Sequence, residues 1–196
     1  MSWGYGGYPA QQGTAAWGTP SSGPPGVPPD LWEWFNAVDQ DRSGHISSLE
    51  LQRALLNGDW SPFNEETCRL MVGMFDRDRT NTIDIHEFVS LWNCIQQWKQ
   101  CFERFDRNRS GSIDALEFHE ALTTFGYRLS MNFSNLVVSK LNRNGGRIIH
   151  FDDFIKICVM LKSLSDQFRA KDTNQAGVVN LQYEEFLHMV VDCTFR

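Results

Sequence analysis

Residues 106–117, DRNRSGSIDALE, put oxygen-bearing side chains at alternate positions and close on a glutamate. That density of hard oxygen suits a divalent cation. Calcium takes six to eight oxygen ligands in a flexible cage. A twelve-residue loop between two helices supplies them from positions 1, 3, 5, 7 (a backbone carbonyl) and 9, with a bidentate glutamate at 12. Position 6 must turn with φ > 0, which glycine does without penalty. Here Asp106, Asn108, Ser110, the Ser112 carbonyl, Asp114 and Glu117 are the ligands, and Gly111 is the turn.

The same pattern recurs. DQDRSGHISSLE (39–50) offers Asp39, Asp41, Ser43, the His45 carbonyl and Glu50, with Gly44 at the turn. DRDRTNTIDIHE (76–87) offers Asp76, Asp78, Thr80, the Thr82 carbonyl, Asp84 and Glu87, but has Asn81 in place of the glycine. Asn is the next most tolerant residue for φ > 0, so weaker or partner-dependent binding is expected there. NRNGGRIIHFDD (142–153) has Arg147 at the turn and a poor ligand set. DTNQAGVVNLQY (172–183) lacks an oxygen at Ala176 and ends on Tyr183. Neither of these two is expected to bind. All five windows carry an apolar residue at the eighth position (Ile46, Ile83, Ile113, Ile149, Val179). A short strand pairing neighbouring loops explains it.

Helices must position these loops, and the spacing says how. The 18-residue stretches 88–105 and 154–171 contain neither Gly nor Pro and read as single helices shared by two loops. Stretches 51–75 and 118–141 are interrupted by NGDWSP (57–62) and Gly126, and so read as helix–turn–helix connections, with Asn64 and Ser130 capping the second helices. An initial helix carries Leu31, Trp34, Phe35 and Val38, with Asp30 as its expected cap. The expected fold is all-α, with five helix–loop–helix units and short paired loop strands over residues 30–196. Before it, residues 1–29 hold six of the seven prolines and no charge, and are expected to be a disordered Gly/Pro-rich tail. Trp3, Tyr5, Tyr8 and Trp17 in that tail are either partner contacts or merely solvated.

Five is an odd number of units that must pair. The first loop is expected to pair with the second and the third with the fourth. The fifth is left with an open edge and an apolar face (Leu161, Leu164, Phe168, Phe186, Leu187, Val190). Docking against another chain's fifth unit covers it, so a dimer is expected.

Composition narrows the function classes. A net charge of −6 without a Lys/Arg run argues against nucleic acid. No apolar run reaches the roughly 20 residues of a membrane-spanning helix, and the chain opens without a secretory-signal pattern. Cys68, Cys94, Cys101, Cys158 and Cys193 show no framework spacing and read as reduced cytosolic thiols. The five histidines stand in or beside loops with no nucleophile at triad spacing, so catalysis is not expected. Loading two calcium ions would bring the charge to −2, easing self-repulsion and favouring association.

The five-loop layout, WFNAVDQDRSGHIS, FGYRLS at 125–130, DDF at 152–154 and Tyr183 closing the fifth loop resemble the penta-EF-hand family over residues 31–196. The resemblance implies calcium bound in the first and third loops, dimerisation through the fifth, and calcium-dependent adaptor work. It also implies a homodimer or a heterodimer with another penta-EF-hand protein, and a cytoplasmic protein peripheral at the endoplasmic reticulum or on coated vesicles. An apolar groove lined by Trp60, Phe63, Met74, Trp92 and Trp98 is the adaptor surface considered, with core packing the expected place of any single one of these aromatics; a passive calcium buffer is the alternative.

Overall fold

The computed structural model describes residues 23–141 and 147–194. The expectation for residues 1–22 lies outside them. Among the described residues eight helices follow one another: α1 (Pro29–Val38), α2 (Ser48–Ala54), α3 (Glu65–Phe75), α4 (Ile85–Phe105), α5 (Ala115–Thr124), α6 (Met131–Leu141), α7 (Phe151–Lys171) and α8 (Tyr183–Thr194). As the spacing requires, α4 and α7 are unbroken helices of 21 residues, each leaving one loop and entering the next.

The ends of the helices follow local chemistry. Asn64 accepts the Glu66 N–H and caps α3. Ser130 Oγ accepts the Phe133 N–H at 3.3 Å at the start of α6. α5 stops where Gly126 turns left-handed at φ +88°, and the Tyr127 N–H closes back on the Leu122 carbonyl. α1 differs from expectation. Pro28 is its N-cap and Pro29 its first residue, which moves Asp30 inside the first turn. Proline needs no N–H partner there and its φ is already helical, so the two prolines set the start. Asp30 then contributes only its charge, next to the positive end of the helix dipole.

The loops meet in pairs. Ile46 and Ile83 exchange both backbone hydrogen bonds (2.8 and 2.9 Å), as do Ile113 and Ile149 (2.9 and 2.7 Å). Each contact is a single antiparallel residue pair, and the described residues contain no strand. The reason lies beside the isoleucines. The His45 and Ser112 carbonyls accept the Ser43 and Ser110 hydroxyls, and the N–H groups of Ser47, Asp84 and Asp114 go to glutamates.

All four isoleucines are fully buried in one aromatic-rich core. In it Phe102 of α4 lies edge-on to Phe151 (5.3 Å) and Phe154 (5.4 Å) of α7, and Phe63 meets Phe151 at 5.8 Å. α7 also packs on α3, joining the two loop pairs. Phe63, one of the groove candidates, is a core residue, 1% exposed, in line with core packing as the expected place of any single one. Trp92 is half-buried between Phe88 and Trp34, whereas Trp60 and Met74 are exposed. Cys68, Cys94, Cys101 and Cys158 are free thiols. Burial pushes Cys68 and Cys158 up to about 12, which leaves them protonated and unreactive. No helix among the described residues is long and apolar enough to cross a membrane.

The fifth unit is different. Leu161 is buried in the core, while Leu164 and Phe168 are half-buried and line a cleft of about 350 Å³ with Tyr127, Ser165, Arg169 and Met189. On α8, Phe186, Leu187, Val190 and Val191 are all exposed.

Candidate calcium centres

Three loops share one architecture. In the first, Asp39 accepts the Ser43 N–H (3.0 Å) on Oδ1 and the Gly44 N–H (2.8 Å) on Oδ2. In the third, Asp106 does the same with Ser110 (2.9 Å) and Gly111 (2.9 Å). In the second, Asp76 does it with Thr80 (3.0 Å) and Asn81 (2.8 Å). The closing glutamates are equally alike. Glu50 accepts the Gln40 N–H (3.0 Å) on one oxygen and the Ser47 N–H (2.9 Å) on the other. Glu87 takes the Arg77 (2.7 Å) and Asp84 (3.0 Å) N–H groups, and Glu117 those of Arg107 (3.1 Å) and Asp114 (3.1 Å). Each glutamate thus already spans the start and end of its loop, both oxygens turned inward.

Helix capping explains why the glutamates stand there. Ser47, Asp84 and Asp114 cap α2, α4 and α5, and the glutamate three residues on completes a reciprocal box. One oxygen of Asp84 and of Asp114, Oδ1, accepts these helix N–H groups, so position 9 serves as a cap.

Asp39, Asp41 and Glu50 bring carboxylate oxygens within 4.8 Å of one another, and so do Asp76, Asp78 and Glu87. In the third loop the Asn108 amide oxygen takes the place of one carboxylate and accepts the Ser110 N–H at 2.9 Å, as Asp41 does from Ser43. Glu50, Glu87, Glu117, Asp39 and Asp106 are buried, while Asp41 and Asp78 face solvent, giving an ion a route in. Burial alone would raise the Glu50 carboxyl, but hydrogen bonds from Ser47 and Gln40 outweigh it and hold it below the ordinary range. Hydrogen bonds from Ser43 lower Asp41 likewise. Asp76 is held down by the Asn81 and Thr80 N–H groups against its desolvation. These groups are therefore ionised at neutral pH, as a cation requires.

Asn81 adopts φ +60°, in the left-handed region that Gly44 and Gly111 occupy at +80° and +79°. The second loop has the shape of the other two: all three turn left-handed at an arginine (Arg42, Arg79, Arg109), and Asn81 is one further strained residue where the others have glycine. Asn81→Gly is expected to stabilise the chain by up to about 1 kcal/mol and to tighten calcium binding at this loop. Thermal unfolding with and without calcium measures both effects.

The fifth loop keeps the frame without the ligands. Asp172 accepts the Ala176 and Gly177 N–H groups. Tyr183 is exposed and opens α8, and the carboxylate at that helix start is Glu185, which accepts the Gln182 N–H at 2.9 Å. Counting twelve residues from Asp172 misses Glu185. Its other oxygen is held by Lys171 Nζ at 2.7 Å, and that contact lowers its carboxyl. An ammonium group, not an open ligand, faces this position.

The sequence matches known family models. An EF-hand domain pair fits residues 95–159 and a second such pair residues 49–93, while an EF hand fits residues 33–56. Human sorcin is 43% identical over 188 residues, covering 94% of this chain and 92% of sorcin. The chain belongs to the penta-EF-hand family. It is a calcium-binding member: its EF-hands hold acidic clusters of the kind the ion needs. Peflin of Xenopus laevis is 45% identical over 181 residues, 91% of this chain. The chain spans 64% of the length of that peflin and 59% of the human one. A solved structure, a homolog of programmed cell death 6 protein from Leishmania major Friedlin, superposes with a TM-score of 0.73 at 29% identity, covering 83% of this chain and 93% of that one.

Proposed function

We propose that this chain is a calcium-regulated, non-catalytic adaptor whose first and third EF-hands bind Ca2+ through Asp39, Asp41, Ser43, His45 and Glu50, and through Asp106, Asn108, Ser110, Ser112 and Glu117. The second EF-hand (Asp76, Asp78, Thr80, Thr82, Glu87) binds more weakly. The fifth hand is the dimerisation surface, pairing with a second copy or with another penta-EF-hand protein. The observation that carries the dimer is the state of α8: none of its residues 183–191 is buried, and Phe186, Leu187, Val190 and Val191 form an exposed apolar face. Similarity to peflin supports work in the cytoplasm at the early secretory pathway, on endoplasmic reticulum membranes or coated vesicles, with calcium-dependent partner or membrane association. Residues 30–196 form the folded unit behind a Gly/Pro-rich tail.

Sedimentation tests the fifth-hand interface. The full chain should sediment as a dimer at micromolar concentration and Phe186→Asp as a monomer. A concentration-independent monomer mass for the unchanged chain would defeat the dimer. A passive buffer would show no calcium-dependent change in tryptophan emission or in dye-accessible apolar surface, whereas the adaptor shows both.

A further inference from the structure

The fourth loop is not expected to bind an ion, and its residues 142–146 lie outside the described ones, yet its exit is bonded to both halves of the chain. On one side Ile149 exchanges its backbone hydrogen bonds with Ile113 of the third loop. On the other, the next residues grip the segment between α2 and α3. His150 Nε2 lies 3.8 Å from Asp59 Oδ2. The Asp152 N–H donates to Asn57 Oδ1 (3.1 Å), its Oδ2 accepts the Asn64 N–H (2.8 Å), and its carbonyl accepts the Thr67 hydroxyl (3.5 Å). Asp152 and Thr67 are 0% exposed and Asn57 3%.

The segment so held is itself stiff. The Leu56–Pro62 pair closes it, Asn57 donates from its backbone to the Ser61 carbonyl at 2.9 Å, and Gln52 Nε2 bonds the Phe63 carbonyl at 2.8 Å. At its tip Trp60 stands 61% exposed at φ +67°, a costly conformation for a bulky residue that the surrounding bonds impose. α2, which carries Glu50 of the first loop, runs into this segment, and α3, which ends at Asp76 of the second, runs out of it.

We infer that the fourth EF-hand is a coupling piece: occupancy of the third loop is passed through Ile149 and Asp152 to residues 57–64, and through α2 to the first loop. This rests on the assignment of calcium to the first and third loops. A buried carboxylate loses more by giving up its partners than by carrying them along, so a shift of the fourth loop drags Asn57 and Asn64 with it. The coupling is reciprocal, so each site strengthens the other.

The test is calorimetric calcium titration of the full chain, with Glu87→Ala present throughout to silence the second loop. Glu117→Ala should weaken the remaining first-loop event by about fivefold or more. In an Asp152→Asn background the same change should alter it less than twofold. Asn57→Ser, which cuts the link from the α2 side and leaves α7 intact, should uncouple the sites in the same way. Equal weakening in all backgrounds, or none in the unchanged one, overturns the coupling while leaving the ligand assignment standing. If Glu50→Ala removes no event at all, the ligand assignment falls and the coupling falls with it.

Discussion

Glu117→Ala is expected to remove one calcium-binding event from a titration of the full chain, and Glu50→Ala another. Each glutamate holds both ends of its loop, Glu117 through the Arg107 and Asp114 N–H groups and Glu50 through those of Gln40 and Ser47. Truncation takes away a bidentate ligand and the clamp that keeps the loop closed. Losing an outer-sphere partner of a metal ligand typically costs 10–100-fold in affinity. A direct bidentate ligand is worth at least the upper end, on the order of 100-fold or about 2.7 kcal/mol. Calorimetry reads this as a lost event at micromolar calcium. An unchanged number of events in both variants would show that the ions sit elsewhere.

Phe102→Ala is the largest expected loss of stability. Its ring is 2% exposed and wedged against Phe151 and Phe154 at the crossing of α4 and α7. Truncating a buried phenyl costs about 3–5 kcal/mol, combining lost transfer energy with the cavity left behind. For a chain of this size that is a fall on the order of 10 °C in Tm, measured by calorimetry in calcium-free buffer. Leu116→Ala, at a side chain 58% exposed, should shift Tm far less. Equal effects would mean that the α4–α7 contact is not the centre of the fold.

What the sequence disclosed was local. The ligand spacings, the two uninterrupted helices, the caps at Asn64 and Ser130 and the pairing of isoleucines follow from residues within one loop or one turn. What it concealed depended on distant partners or on insertions. Asp152 stands at the non-ligand eleventh position of the fourth window, and nothing local marks its role, because Asn57 and Asn64, which it bonds, lie 95 and 88 residues away. Phe63 looked available for a groove because nothing nearby in the sequence predicts Phe151 against it. Glu185 was missed because the fifth loop does not keep the twelve-residue count, and only the hydrogen bond to Gln182 reveals its role. Asp30 lost its cap to a rule of proline geometry that competed with it at the same site.

The 21 residues of α4, a rod of roughly 30 Å, belong at one end to the second ion cage and at the other to the third. A protease that nicked it would damage both cages at once. The chain therefore has no natural seam between its second and third units, and halves expressed separately should not behave as two independent modules. Swapping units among relatives would succeed only with a breakpoint in the α5–α6 connection, because the α2–α3 connection is bonded through Asn57 and Asn64 to Asp152 of the other half.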